Sequence, residues 1–127
     1  KLKSFTKKSG KLAPLNFNSK FPIPVKRIFY IYGKKNSYRG DHAHKKCKQL
    51  FIPISGKVEL IIKKDNKENL FSLYPEKNQA ILIPNLYWCS LKFITSNAVI
   101  MVACDRKYEF NDYIEKYSDF IKIENDK

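Results

Sequence analysis

Two histidines, His42 and His44, stand one residue apart, and the chain has no others. On a β-strand, residues i and i+2 point to the same face. Both imidazoles would then project side by side from one sheet surface. Imidazole is the side chain whose unperturbed pKa lies nearest neutrality. Such a pair suits either metal ligation or proton transfer at a carbon acid. The remaining donors decide between the two. Gln49 follows His44 after four residues, and Gly56 follows after six more. A metal here would have two imidazoles and the neutral amide of Gln49, with the thiol of Cys89 as the one further candidate. That set matches neither the two-histidine, one-carboxylate triad nor a structural zinc tetrahedron. The sequence therefore argues against a catalytic metal. Without one, the histidines are candidates for general acid and base, worth typically ~10²–10⁴-fold in rate. A ketone acidifies the adjacent carbon. One imidazole could take that proton while the other steadies or protonates the developing enediolate oxygen. The charges clustered around them, Arg39, Asp41 and three lysines, fit a site better than a chance pair.

The elements that would hold these groups are mostly short strands. Val25 to Tyr32 is β-branched and aromatic and reads as a strand. Residues 33–40 read as a polar loop. His42 to Ile54 reads as one strand ending near Pro53. Ser55-Gly56 is a turn, and Lys57 to Lys63 alternates as a strand. Residues 65–69 have the composition of a hairpin turn, with Leu70 to Leu73 continuing as a strand. Gln79 to Ile83, Tyr87 to Phe93 and Ala98 to Cys104 complete the set. Only the tail changes period. Phe110, Tyr113, Ile114, Tyr117, Phe120 and Ile121 recur at helical spacing, with Asn111 or Asp112 as the N-cap. Many short strands with turns every eight to twelve residues suggest an antiparallel sandwich or barrel. The expectation is all-β: one jelly-roll barrel of the cupin type, spanning 1–127. Within it, 1–24 would be an N-terminal extension with edge strands, 25–104 the barrel and 108–122 a helical cap.

A chain of 127 residues with 43% hydrophobic content can build one real core. Three cysteines are an odd number without close spacing. That argues against a disulfide framework and for a reducing, cytoplasmic setting. No window approaches 18 consecutive apolar residues, so no membrane helix is expected. The N-terminal residues carry charge without an apolar stretch behind it, unlike a signal peptide. Net charge is +13 with a pI near 9.7, which predicts attraction to polyanions. The excess is mostly lysine spread end to end, a pattern that also arises from genome composition. No RNP string, zinc-finger spacing or helix-turn-helix pattern supports a nucleic-acid partner, and none is expected.

The strings RIFYIYG (Arg27 to Gly33), RGDHAHK (Arg39 to Lys45), Gln49, PNLYW (Pro84 to Trp88) and YEFNDYIEKYSDF (Tyr108 to Phe120) carry a resemblance. Together they resemble the cupin-type thymidine-diphosphate-4-keto-6-deoxyglucose 3,4-ketoisomerases, the WxcM-like group. Cys89 and Cys104-Asp105-Arg106 depart from the pattern near the expected mouth. The resemblance implies a cofactor-independent isomerase that moves a sugar ketone from carbon 4 to carbon 3 through an enediol. It implies a dTDP-linked keto sugar as substrate and a cytoplasmic homodimer. It also implies a role before an aminotransferase and an acetyltransferase in making a 3-amino-3,6-dideoxyhexose for a surface glycan.

His42 and His44 are the expected proton carriers, with His44 deeper and His42 steadying the enediolate. Tyr30 and Tyr32 share a face, and one donates to the enediolate or both form an aromatic wall. Arg39 is the best diphosphate ligand, because its planar fork pairs two oxygens at once. Lys45 and Lys46 straddle the sheet, so one of them faces the pocket. Gln49 would fix a sugar hydroxyl or a histidine tautomer. Trp88 walls the pocket, stacks on the thymine or packs in the core. Arg106 is a weaker phosphate candidate, and Asp41 orients a histidine or closes the loop. The rivals are a nucleotide-sugar epimerase on a similar jelly roll and a non-catalytic nucleotide-sugar-binding cupin.

Overall fold

The computed structural model describes residues 2–126. Its strands are β1 (Phe5–Lys7), β2 (Gly10–Leu12), β3 (Arg27–Tyr32), β4 (Tyr38–His44), β5 (Gln49–Ser55) and β6 (Val58–Lys64). They continue with β7 (Lys67–Leu73), β8 (Ile81–Ile83), β9 (Trp88–Phe93), β10 (Val99–Cys104) and β11 (Tyr113–Ile114). One helix, α1 (Tyr117–Asn125), closes the described chain. The strands form a four-stranded sheet in the order β3-β10-β5-β8 and a five-stranded sheet in the order β11-β4-β9-β6-β7. All pairings are antiparallel. A separate hairpin, β1-β2, stands outside both. The architecture is the expected all-β, double-sheet barrel with a short C-terminal helix.

Val58, Leu60, Leu91, Phe93, Ile100 and Val102 are buried between the sheets in one cluster. Each such side chain contributes ~1.5–3 kcal/mol by leaving water. Strands β5, β9 and β10 do not alternate, and the reason is that both their faces are covered. Leu50, Ile52, Met101 and Ala103 form the outer face of the four-stranded sheet, beneath Leu15, Phe21 and Ile23 of the N-terminal segment. On the outer face of the other sheet, Ala43, Trp88 and Ile114 pack against Phe120 and Ile121 of α1. The β6-β7 turn falls where composition places it but is tighter, since Lys67 to Asn69 already pair in β7. Asp65 and Asn66 adopt positive φ (51° and 62°), the two-residue hairpin geometry those residues favour.

Two expectations are corrected. His42 to Ile54 is not one strand. β4 stops at His44 and β5 begins at Gln49, in the other sheet. The corner between them is held by backbone bonds from Lys45 N–H to the Asp112 carbonyl, and from Lys48 N–H to the Asp105 carboxylate at 2.9 Å. The helical cap also starts later than 108. Residues 110–112 make a single 3₁₀ turn, and Tyr113 and Ile114 pair with His44 and Ala43 as a strand. Helical spacing lost there to sheet pairing, and the helix N-cap is Lys116 rather than Asn111 or Asp112. Among the described residues, no helix is long and apolar enough to cross a membrane.

Candidate active site

β11 covers only the last two residues of β4, and β3 ends its own sheet. Between these exposed strand edges the barrel opens into a cleft of about 820 Å³. That is the size range of pockets that hold small ligands. Its lining includes Arg27, Phe29, Arg39, Gly40, Asp41, His42, Gln49, Phe51, Cys89, Leu91 and Tyr113.

A bulge aims the histidines. Along β4, Gly40 pairs with Ser90 and His42 with Cys89, so Asp41 is the extra residue. Asp41 sits at φ 46° and Gly40 at φ 92°. A Cβ on Gly40 would meet the Cys89 carbonyl oxygen, so glycine is required twice over. Asp41 accepts a 2.5 Å hydrogen bond from Ser90 Oγ, which secures the bulge. His42 and His44 then lie with ring centroids 5.0 Å apart and planes at 88°.

Each histidine has one nitrogen tied down. His42 Nδ1 lies 2.8 Å from the Gly40 carbonyl and donates to it. His44 Nδ1 lies 3.0 Å from Asp112 Oδ2 and donates to that carboxylate. Both neutral rings therefore keep Nε2 as a proton acceptor. His44 Nε2 is buried without a partner in the protein, as expected of a group waiting for substrate. Burial pushes both imidazoles below their ordinary value. For His42 the Gly40 contact, Glu115 and Asp41 work against that shift; for His44 the Asp112 bond does, while His42 and Arg27 add to it. Both rings are thus neutral and basic at neutral pH.

Helical spacing in the tail makes Asp112 a cap candidate, but the structure places it against His44. Burial would raise its carboxyl. Bonds from His44, from the Lys46 amide at 2.8 Å and from the Cys47 amide at 3.2 Å override that and hold it low. Tyr113 likewise fits a helix position by spacing, yet it pairs with His44 in β11. Its ring lies tilted 4.4 Å from that of His44 and edge-on 5.1 Å from that of His42, and it lines the cleft. The signal for both was the sequence DY in the tail, but only the pairing of β11 with β4 brings it to the histidines.

His44, Cys47 and Asp112 offer donor atoms within 4.8 Å of one another, close enough to hold a cation. The Asp112 oxygens, however, already accept three protein hydrogen bonds, so the set reads as a cage that orients His44. Burial pushes the Cys89 thiol up to about 12.

Other expected site residues fall in two groups. Arg39, Asp41, Gln49 and His42 line the cleft. Gln49 fixes neither histidine tautomer; its amide donates to Cys104 Sγ at 3.5 Å. Tyr30 and Tyr32 border the cleft, but β3 alternates so that their side chains turn to the exposed outer face. Lys45 and Lys46 are both exposed in the β4–β5 corner, and neither lines the cleft. Trp88 is core: it packs on Tyr117 and Phe120 behind the sheet. Arg106 is an exposed partner of Glu109 at 2.7 Å.

Two facing antiparallel sheets, with a cleft between them and two adjacent histidines at its wall, make a cupin-type barrel. The chain matches the family described as FdtA: WxcM-like, C-terminal over residues 1–125, and it belongs to that family. It is 29% identical over 114 residues to TDP-4-oxo-6-deoxy-alpha-D-glucose-3,4-oxoisomerase of Aneurinibacillus thermoaerophilus, covering 89% of this chain and 81% of that protein. QdtA, a sugar 3,4-ketoisomerase from Thermoanaerobacterium thermosaccharolyticum solved with TDP, superposes with a TM-score of 0.92 at 29% identity, covering 99% of this chain and 92% of QdtA. A histidine-to-asparagine variant of QdtA, solved with TDP-4-keto-6-deoxyglucose, gives 0.93 at 28% identity, covering 100% and 92%.

Proposed function

We propose that this protein is a sugar 3,4-ketoisomerase acting on thymidine-diphosphate-4-keto-6-deoxyglucose. The observation that carries the reading is the pair of neutral histidines, each tied at Nδ1, with ring centroids 5.0 Å apart, His42 lining the cleft and His44 buried directly beside it. His44 is the base that takes the proton from carbon 3. It is the more enclosed of the two, and Asp112 steadies the imidazolium as it forms. The electron pair moves toward the carbon 4 oxygen and gives an enediolate. Protonation at carbon 4, with the carbon 3 hydroxyl proton passing to oxygen 4, leaves the ketone at carbon 3 and a hydroxyl at carbon 4. His42 serves that exchange from the cleft side. Arg39, exposed at the rim, suits the diphosphate. No cofactor is required, because the oxidation at carbon 3 and the reduction at carbon 4 cancel.

The product would feed amination at carbon 3 and then acylation, toward a 3-amino-3,6-dideoxyhexose for a surface glycan. The homodimer implied by the family has a ready surface. Ile28, Tyr30 and Tyr32 expose an apolar stripe along the β3 edge.

Proton NMR of the keto sugar in deuterium oxide tests the reading. Deuterium entry with appearance of a 3-keto sugar is the expected result. Inversion with the ketone kept at carbon 4 identifies an epimerase instead. Tight binding with no exchange identifies a binding protein.

A further inference from the structure

Arg27 opens β3 and turns inward with Phe29 and Ile31. Its guanidinium carbon lies 4.9 Å from the centre of the Phe29 ring and 5.2 Å from that of Tyr108. Two aromatic faces thus hold the planar head while leaving its N–H edges free. Among the described residues it forms no ion pair, whereas Arg106 is neutralised by Glu109. A half-buried, uncompensated cation is costly unless an anion arrives to meet it.

The proposed reaction brings two anions: the diphosphate and the enediolate oxygen. Depth separates them. Arg39 is exposed on the rim, while Arg27 is half-buried and lines the cleft wall. Across the sheet Arg27 pairs with Cys104, and Cys104 with Gln49, so the three form one inward row. His42 and His44 come from the opposite sheet. The Arg27 charge depresses the titration of His44, which marks the two as electrostatic neighbours.

We infer that Arg27 receives the carbon 4 oxygen of the substrate and stabilises the enediolate as its charge develops. This rests on the 3,4-ketoisomerase reading. When His44 takes the carbon 3 proton, the electron pair forms the carbon 3–carbon 4 double bond and the carbonyl pair retreats onto oxygen 4. That oxygen then faces an N–H edge already fixed by the two rings. Preorganised charge of this kind acts on the transition state more than on bound substrate.

The test compares wild type with Arg27→Gln and Arg27→Lys. It reads kcat on TDP-4-keto-6-deoxyglucose, solvent deuterium entry at carbon 3, and the Kd for TDP alone. Arg27→Gln should lose about 10²–10³-fold in kcat, with deuterium entry falling in step and TDP affinity held. The acid limb of its pH profile should move up. The groups acting on His44 are Asp112, His42 and Arg27, and losing the guanidinium removes a charge that opposes protonation. A merely structural role leaves that limb in place. A TDP affinity loss of about tenfold or more with kcat preserved makes Arg27 a diphosphate ligand and overturns the inference. If thermal melts show Arg27→Gln unfolded, Arg27→Lys decides. It keeps the charge and loses the fork, so kcat should fall about tenfold with TDP binding held. Wild-type kcat in that variant overturns the inference. A wild-type protein that binds TDP but neither exchanges nor isomerises the sugar ends both readings. An active wild type beside a fully active Arg27→Gln ends this one alone.

Discussion

The two ends of the four-stranded sheet's inner face differ in one row of residues. At the cleft end the row across β3, β10 and β5 is Arg27, Cys104 and Gln49. Further along the same strands it is Phe29, Val102 and Phe51, and then Ile31, Ile100 and Pro53. The backbone ladder is the same throughout. Only the side chains change, from titratable and hydrogen-bonding to apolar. In the facing sheet Leu91 and Phe93 continue the apolar end, and His42 stands beside Cys89 at the other. One end of the barrel holds the fold by burial. The other holds polar groups, with His44 Nε2 left without a protein partner. Stability and chemistry are thus divided along the strands, and the two should respond separately to substitution.

The largest separation is expected for His44→Asn. Turnover should fall by about 10²–10⁴-fold while the melting temperature holds, because the asparagine amide can still bond Asp112. Parallel NMR assays and melts check this; full activity would break the comparison. Phe93→Ala works at the other end. Phe93 is fully buried, so unfolding free energy should drop by about 3–5 kcal/mol in denaturant titration, with kcat per folded molecule preserved. Asp112→Asn belongs to the cleft without touching substrate. It should lower kcat about 10–100-fold at unchanged TDP affinity, since an amide cannot satisfy both the His44 donor and the two backbone amides.

The pH response sharpens the division. Both histidines titrate below their unfolded value because they are buried. The unfolded chain therefore binds more protons between the folded values and ~6.5, and stability should fall as pH drops through that window. The acid limb of kcat/KM should likewise lie below pH ~6.5. An acid limb at or above that value would contradict the buried placement. The smallest effect is expected for the exposed pair Lys45→Ala and Lys46→Ala. Stability should change by no more than about 0.5 kcal/mol, with activity near wild type. A large loss of TDP binding would return these lysines to the site.

Much of this was legible in the chain. Short β-branched and aromatic runs between turn residues gave most strands, and the polar run 65–69 marked a hairpin whose turn is in fact only Asp65-Asn66, with β7 already starting at Lys67. His42-Ala43-His44 carried the acid–base pair on spacing alone, because strand geometry guarantees that i and i+2 share a face. The order of motifs carried the family. Three parts were not legible. The strand read from His42 to Ile54 breaks where the chain crosses between sheets. The tail residues Asp112 and Tyr113 leave their helical period to reach the histidines. Trp88, adjacent to a cleft residue, faces the opposite way into the packing beneath α1.

The amino-acid sequence by itself determined the all-β class, the histidine pair and the positive charge, since each depends on local periodicity or on composition. Only the tertiary structure decided which cation, which carboxylate and which aromatic rings meet that pair. Arg27, Asp112 and Tyr113 come to the cleft from distant parts of the chain. Their meeting depends on strand register and sheet order, which no short window of sequence encodes.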